Sequence, residues 1–396
     1  MRRLLLALAC LGALALPAAA APSDVSSDPL ERAALLAMPS VYRIDVVVHA
    51  DALMTADGRR VRLPPLAREV PESGTAVAVA PGGWLVTAGH VAAPSGAGLA
   101  RLAYQRKLIA ERRPHSDEAA AAWVAENHAE PVGVRVVSRQ VRQADAGEGA
   151  DGAVDFRTTA IRLSNAADLA LVQIDAPEAP ALELDESGSI GTPVVSIGFG
   201  RDSAFTAPPR GVVEPAVRRG ELGRTGRLDD GPVTRPVLVV TTPVQPGDSG
   251  GPVVDAHGRV RGIVFQRTPT GGYAERATEV RQLLEGAGVT PGSGRTGELF
   301  RDAMQDFWRL DLDDAQRGFA ATLAAFPEHS LARREAARAR ELAAADFRLE
   351  GSDRIGAFWV ALALSAAVAA LACGIGLARP LLGGGNGTRL GARRRG

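Results

Sequence analysis

Between residues 41 and 286 the chain is a succession of short apolar runs cut apart by Gly and Pro, and nothing else in the sequence restricts the fold as much. The runs are 41–48, 75–79, 84–87, 132–137, 154–163, 169–174, 194–197, 237–242 and 260–265. Many short strands with turn residues between them predict an all-β sandwich or barrel. One interruption, 99–130, holds two helical stretches, 104–113 and 118–127, on either side of Pro114, and reads as a surface insertion. Residues 278–285 read as a closing helix with Gly286 at its C-terminal end.

The flanks carry membrane signals. Arg2 and Arg3 precede an apolar run, 4–16, and a small-residue site at 18–21, the pattern of a secretory signal peptide over 1–21. That run is shorter than the roughly 17–25 residues needed to cross a bilayer, and Cys10 lies inside it, which argues against a lipid-anchored cysteine. A second run, 356–378, has no charge and would reach about 34 Å as a helix, enough for one transmembrane span. Beyond it the tail 379–396 holds Arg379, Arg389, Arg393, Arg394 and Arg395 with no acid, so the positive-inside rule puts the tail in the cytoplasm and the rest outside. A core helix of this length would show one polar face, and this run shows none.

A Gly-rich linker, 289–297, leads into 298–350, where Ala, Arg, Leu and Glu recur at helical spacing. Ala315, Phe319, Thr322 and Pro327 fit the second helix of a tetratricopeptide repeat, while Leu299, Asp302, Ala303 and Asp306 fit its first helix poorly. A repeat-like unit able to dock a partner protein and a plain helical stalk both remain open, because one such repeat cannot bury its face alone.

Composition removes several functions. Both cysteines, Cys10 and Cys373, fall in the targeting segments, so the exported part has no disulfide and must be held by its own core. The six histidines, His49, His90, His115, His128, His257 and His329, include no pair three to five apart, which leaves no zinc signature and predicts neither metal nor cofactor. With 45 basic against 45 acidic residues, and only 4 Trp, 3 Tyr and 10 Phe, the chain offers neither bulk positive charge nor a stacking platform for nucleic acid.

Three segments carry chemistry, in the order Val86-Thr87-Ala88-Gly89-His90, Ala167-Asp168-Leu169-Ala170-Leu171 and Gln245-Pro246-Gly247-Asp248-Ser249-Gly250-Gly251-Pro252. Amide hydrolysis needs a hydroxyl that loses its proton while a carbonyl oxygen gains charge. Ser249 supplies the hydroxyl, His90 is the candidate general base, and Asp168, opening an apolar strand, is the candidate that orients the imidazole. Gly247 and Gly250 permit a sharp turn that lets the Gly247 and Ser249 amides face one point as an oxyanion hole. Asp151, Asp155 and Asp175 are competing acids, and His115, His128 and His257 read as loop histidines.

At these residues the chain resembles the trypsin-like, chymotrypsin-fold serine peptidases, over about 41–286, and their exported bacterial branches such as the HtrA-type and acid-resistance periplasmic peptidases. The resemblance implies a mainly β, two-barrel fold over 38–288, followed here by a small α-helical unit and one transmembrane helix. It also implies an endopeptidase that acts on proteins or peptides through a His90, Asp168, Ser249 triad and an acyl-enzyme, which the flanking signals would place outside the cytoplasm on a membrane tether. A catalytically silent scaffold that binds partner proteins is the alternative.

The chain departs from the family pattern in places. No Ile-Val-Gly-Gly start is present to pair with Asp248 after cleavage. Val264, Phe265 and Gln266 match the strand that lines the primary specificity pocket, but Phe265 stands where a small hydroxyl residue often supports the catalytic Asp. Pro243 carries no charge, which argues against a strict Lys or Arg preference.

The topology can be tested directly. Protease added to intact spheroplasts should degrade the barrel and spare the tail; a protected barrel with an exposed tail would reverse the orientation.

Overall fold

The computed structural model describes residues 26–49, 53–62, 70–94, 96–143, 154–200, 215–230 and 233–350, with Leu362 and Ser365. The expected signal peptide, the tail and all but two residues of the 356–378 span lie outside the described residues. Among the described residues no helix is long and apolar enough to cross a membrane. The chain divides into two compact units, Met1–Ala337 and Arg338–Gly396.

In the first unit, α1 (Pro29–Ala37) starts at an Asp28 cap whose side chain accepts the Leu30 N–H. A single 3-10 turn leads into β1 (Val41–His49). There Ile44, Val46 and Val48 are buried while Arg43 and Asp45, on the other face, pair at 2.9 Å, the two-residue period of a half-buried strand. Next come β2 (Leu53–Ala56), β3 (Arg59–Arg62), β4 (Val70–Ala80) and β5 (Trp84–Ala88). The short helix α2 (Gly89–Ala92) precedes α3 (Gly96–Ala110) and α4 (Asp117–Glu126). The strands resume with β6 (Glu130–Pro131), β7 (Arg135–Gln143), β8 (Val154–Phe156), β9 (Thr158–Leu163) and β10 (Leu169–Ile174). The second set is β11 (Pro193–Gly198), β12 (Ala216–Asp230), β13 (Val233–Val240), β14 (Pro252–Asp255), β15 (Val260–Thr268) and β16 (Gly271–Arg276). Then follow α5 (Ala277–Gly286), α6 (Gly294–Arg309), α7 (Leu312–Ala325) and α8 (Ser330–Glu350).

The second set closes into a barrel in the order β11-β12-β13-β16-β15-β14. The first set forms a curled seven-stranded sheet, β8-β7-β1-β4-β5-β10-β9, so the expected pair of barrels consists of one closed barrel and one half-barrel. Its edge strands β8 and β9 are consecutive in sequence, joined only by Arg157. One residue cannot form a hairpin ladder, so the chain turns the corner without hydrogen bonding one edge to the other. Asp175 fixes that corner by accepting the Arg157 N–H at 2.8 Å. The insertion is anchored by Tyr104 stacked on Trp123 at 3.9 Å, and its first helix begins at Gly96, earlier than its sequence period indicates.

One apolar cluster joins the two sheets. Val77, Val86, Leu169 and Leu171 of the first meet Val195, Ile197, Val254 and Ile263 of the barrel, with Val280 and Leu284 of α5. Burying each such side chain contributes about 1.5–3 kcal/mol, so the relative placement of the sheets, and of the loops at their shared edge, is strongly determined.

The stretch read as a linker is tied to the first sheet. The Gly292 N–H donates to Val79 O at 3.0 Å and Ser293 O accepts the Ala181 N–H at 3.2 Å. Further on, Phe326 enters the same cluster as Tyr42 and Phe156. Ala315, Phe319 and Thr322 are buried on α7, the face that the repeat pattern marked.

His329, fully buried, caps α8 by accepting the Ala332 N–H on Nδ1 at 3.1 Å, with its ring 4.4 Å from Phe300. Burial holds its imidazole down at about 3, against 6.5 when exposed. Between those values the unfolded chain binds a proton that the folded chain does not. This part of stability is therefore complete above pH 6.5 and is lost as the pH falls, by about 1.4 kcal/mol per unit. Thermal midpoints from pH 7 to 4.5 should fall more steeply for the native chain than for His329→Gln; equal slopes would show that His329 does not carry the effect.

Candidate active site

Strand pairing brings His90 and Asp168 together. In the antiparallel ladder of β5 and β10, Leu169 faces Ala88, so the residues just outside the pair, Asp168 and the α2 turn with His90, emerge at the same end. His90 Nδ1 lies 2.7 Å from Asp168 Oδ2, and the His90 N–H donates to Asp168 Oδ1 at 2.9 Å. The two contacts fix the imidazole and the carboxylate relative to one another, and the Gly89 N–H adds a third bond, donated to Asp168 O at 3.0 Å. Burial alone raises the Asp168 carboxyl, but the His90 hydrogen bond and charge, with Arg235 beyond, bring it below the ordinary value.

Ser249 sits in the turn between β13 and β14, half-buried, and its neighbours are held from several sides. Ser249 O accepts the Thr75 N–H at 2.8 Å, Gly250 N donates to Val264 O at 2.7 Å, and Gly251 O accepts the Val264 N–H at 2.9 Å. Thr75 Oγ1 donates to Gly247 O at 2.8 Å and accepts the Phe199 N–H at 2.9 Å. Gly247 and Gly250 have φ of 101° and 91°, a region that L side chains rarely adopt. At Gly250 there is no space either, since a Cβ would overlap Thr75 O and Thr87 Oγ1.

The amides of Asp248, Gly250 and Gly251 donate to Gln245 O, Val264 O and Asp248 O. Among the described residues no acceptor meets the amides of Gly247 and Ser249. The Ser249 hydroxyl donates to Phe265 O at 3.4 Å, a long bond, and not to His90.

Asp248 is buried at 3% exposure, where an unpaired carboxylate would be costly. Arg218 of β12 answers it, with Nη1 3.0 Å from both carboxylate oxygens, and the Gln245 N–H donates to Oδ2 at 2.7 Å. Burial still pushes the Asp248 carboxyl up, against the Gln245 amide and the Arg218 guanidinium, which lower it. The cation that the family pattern takes from a new N-terminus is thus internal to this chain.

The three residues expected to bind substrate differ in what they expose. The β15–β16 register shifts between Val264 and Gln266, leaving Phe265 as a bulge. Val264 and Phe265 are 1% and 6% exposed. Both backbone groups of Val264 are used by the Ser249 turn, so Val264 offers a ligand nothing. Phe265 offers only its carbonyl, and Gln266 is the exposed residue of the three.

Of the competing acids, Asp175 holds the Arg157 corner, Asp155 pairs with Arg142 at 2.7 Å, and Asp151 lies outside the described residues. His115, His128 and His257 are exposed loop residues, and no cluster of three or more metal-ligating side chains occurs among the described residues. A cavity of about 620 Å³ lined by Glu186, Ile190, Leu222, Leu238, Arg261 and Thr278 contains none of the site residues. Its Arg261 is already paired with Asp185 at 2.9 Å.

Sequence reasoning passed over Thr75, Arg218, Arg235 and Glu275. The Asp168 N–H donates to Glu275 Oε1 at 3.0 Å, and Glu275 is ion-paired with Arg235.

Residues 74–263 match the family model described as a trypsin-like peptidase domain. Serine protease Rv3671c of Mycobacterium tuberculosis strain H37Rv is 32% identical over 143 residues, 35% of this chain and 35% of that protein. Serine protease MT3772 of strain CDC 1551 matches to the same extent. The chain therefore spans about a third of the length of these curated relatives. Among solved structures, the active form of the Rv3671c protease covers 70% of this chain and 97% of its own, with 20% identity and a TM-score of 0.41. The HtrA-type protease AlgW with a decapeptide covers 65% and 68%, with 20% identity and a TM-score of 0.40. Over residues 74–263 the chain is thus similar to trypsin-like peptidase domains.

Proposed function

We propose that the chain is a membrane-tethered serine endopeptidase that works outside the cytoplasm and hydrolyses peptide bonds through an acyl-enzyme. One observation carries the reading: a His90–Asp168 pair bonded at 2.7 Å shares its end of the fold with a Ser249 turn whose Gly247 and Ser249 amides meet no acceptor among the described residues. The tether rests on the sequence of 356–378 and the arginine tail.

In this mechanism the substrate carbonyl oxygen lies against the Gly247 and Ser249 amides. Ser249 Oγ attacks the carbonyl carbon as its proton passes to His90 Nε2. Asp168, accepting from Nδ1, holds the tautomer and stabilises the imidazolium. The imidazolium then protonates the leaving amine, and water repeats the sequence to release the acid. Attack requires Ser249 Oγ to leave Phe265 O and turn toward His90, a rotation about one side-chain torsion. That starting bond is what favours the alternative of a silent, partner-binding scaffold, but a scaffold has no need of the bonded His90–Asp168 pair.

Two sets of variants test the reading, each first shown to be folded by circular dichroism. Ser249→Ala and His90→Ala should each lower peptide cleavage roughly 10⁶-fold, and the double variant little more, because the members act as a unit. Asp168→Asn should lose about 10⁴-fold, while Asp175→Asn should be nearly silent. Full activity in Ser249→Ala would falsify the mechanism.

The second set concerns Asp248. Arg218→Met leaves its carboxylate buried and uncompensated, so unfolding should be easier by about 3–5 kcal/mol. Adding Asp248→Asn should recover much of that in denaturant melts. If the single and double variants melt alike, the pair does not hold the turn.

A further inference from the structure

Asp168 lacks the hydroxyl neighbour that the family pattern supplies, because Phe265 stands there with its side chain buried. The fold places charge behind Asp168 instead. Its N–H donates to Oε1 of Glu275, a β16 residue only 1% exposed. Arg235 of the adjacent strand β13 pairs with the same carboxylate, and its guanidinium lies 4.7 Å from the centre of the Phe265 ring. Glu275 Oε2 is buried without a hydrogen bond. A neutral amide would avoid the cost of a buried charge at this point, so the charge itself calls for a reason.

Formal charge provides one. Asp168 and Glu275 contribute two negative charges and Arg235 one positive charge, so the group is singly negative beside a neutral His90 and neutral beside an imidazolium. Glu275 favours the imidazolium that forms during proton transfer. Arg235 limits that preference, so that the imidazole still returns its proton.

We propose that Glu275 and Arg235 are positioning residues for the catalytic acid, taking over the task of the missing hydroxyl, and that their opposed charges set the acidic limb of the peptidase pH profile. The inference rests on the serine peptidase reading above. Among the described residues, other charges on elements near α2 have interactions of their own, including Glu72 of β4. Arg139 of β7 donates from Nε to Ala92 O at 3.0 Å, and Asp45 of β1 pairs with Arg43 at 2.9 Å. The test leaves both in place.

The experiment uses the full chain in detergent and measures kcat and KM for a peptide substrate across pH. Glu275→Gln keeps an acceptor for the Asp168 N–H but removes the negative charge that pairs with Arg235, so the acidic limb should move to lower pH by about half to one unit. Arg235→Met leaves two carboxylates and should move the limb by a similar amount to higher pH. The double variant should return close to the native position, and Arg235→Lys should keep it. KM should change little in all four.

A purely structural pair would lower kcat or the melting temperature in the single variants and leave the limb where it was, and that result overturns the proposal. The imidazole titration of His90, followed by NMR in Ser249→Ala and in its combinations with Glu275→Gln and Arg235→Met, gives the same signed test without turnover. If the native chain shows no cleavage dependent on Ser249 while the NMR midpoints shift as stated, the peptidase reading fails and the charge assignment stands. Midpoints that do not move overturn the assignment itself.

Discussion

The turn that carries Ser249 fits against β4 with no tolerance, and the rest of the site depends on that contact. Thr75 alone makes four bonds there. Its N–H reaches Ser249 O, its hydroxyl serves Gly247 O and Phe199 N, and its carbonyl accepts the Thr87 hydroxyl at 2.6 Å. Every bond but the last joins the first sheet to the barrel. Because the apolar cluster beneath already sets how the sheets meet, these bonds turn a packing arrangement into a defined position for one hydroxyl and two amides. The positive φ at Gly247 and Gly250 is the local condition for that fit.

Charge burial is the second constraint, and the β12–β13 hairpin answers it twice. Arg218 near its beginning neutralises Asp248 under the Ser249 turn, and Arg235 on its return strand pairs with Glu275 behind Asp168. Both carboxylates are nearly inaccessible, at 3% and 1% exposure, so neither is affordable alone. One polar hairpin therefore supports both halves of the proposed machinery, the turn with its two free amides and the acid behind the imidazole.

The same hairpin shows where sequence reading stops. Residues 216–230, Ala-Val-Arg-Arg-Gly-Glu-Leu-Gly-Arg-Thr-Gly-Arg-Leu-Asp-Asp, have no apolar alternation, and they are a strand because β11 and β13 supply the ladders on either side. The runs at β1, β5, β10 and β15 were legible because their core faces carry Val, Leu and Ile. His90, Asp168 and Ser249 were legible because each sits in a short motif whose local geometry is its own signature. Thr75, Arg218, Arg235 and Glu275 act across thirty or more residues of chain and leave no local pattern. The bulge at Phe265 left no mark in the sequence, because a register shift between Val264 and Gln266 depends on how β15 pairs with β16 and not on residue type.

The central claim is that Ser249 is made nucleophilic by its surroundings. The most direct measurement is fluorophosphonate labelling of the folded chain in membranes, followed by mass spectrometric mapping of the modified peptide. The account predicts one adduct, on Ser249, formed far more slowly in His90→Ala. A folded chain that takes no label, or takes it on another serine, would contradict it.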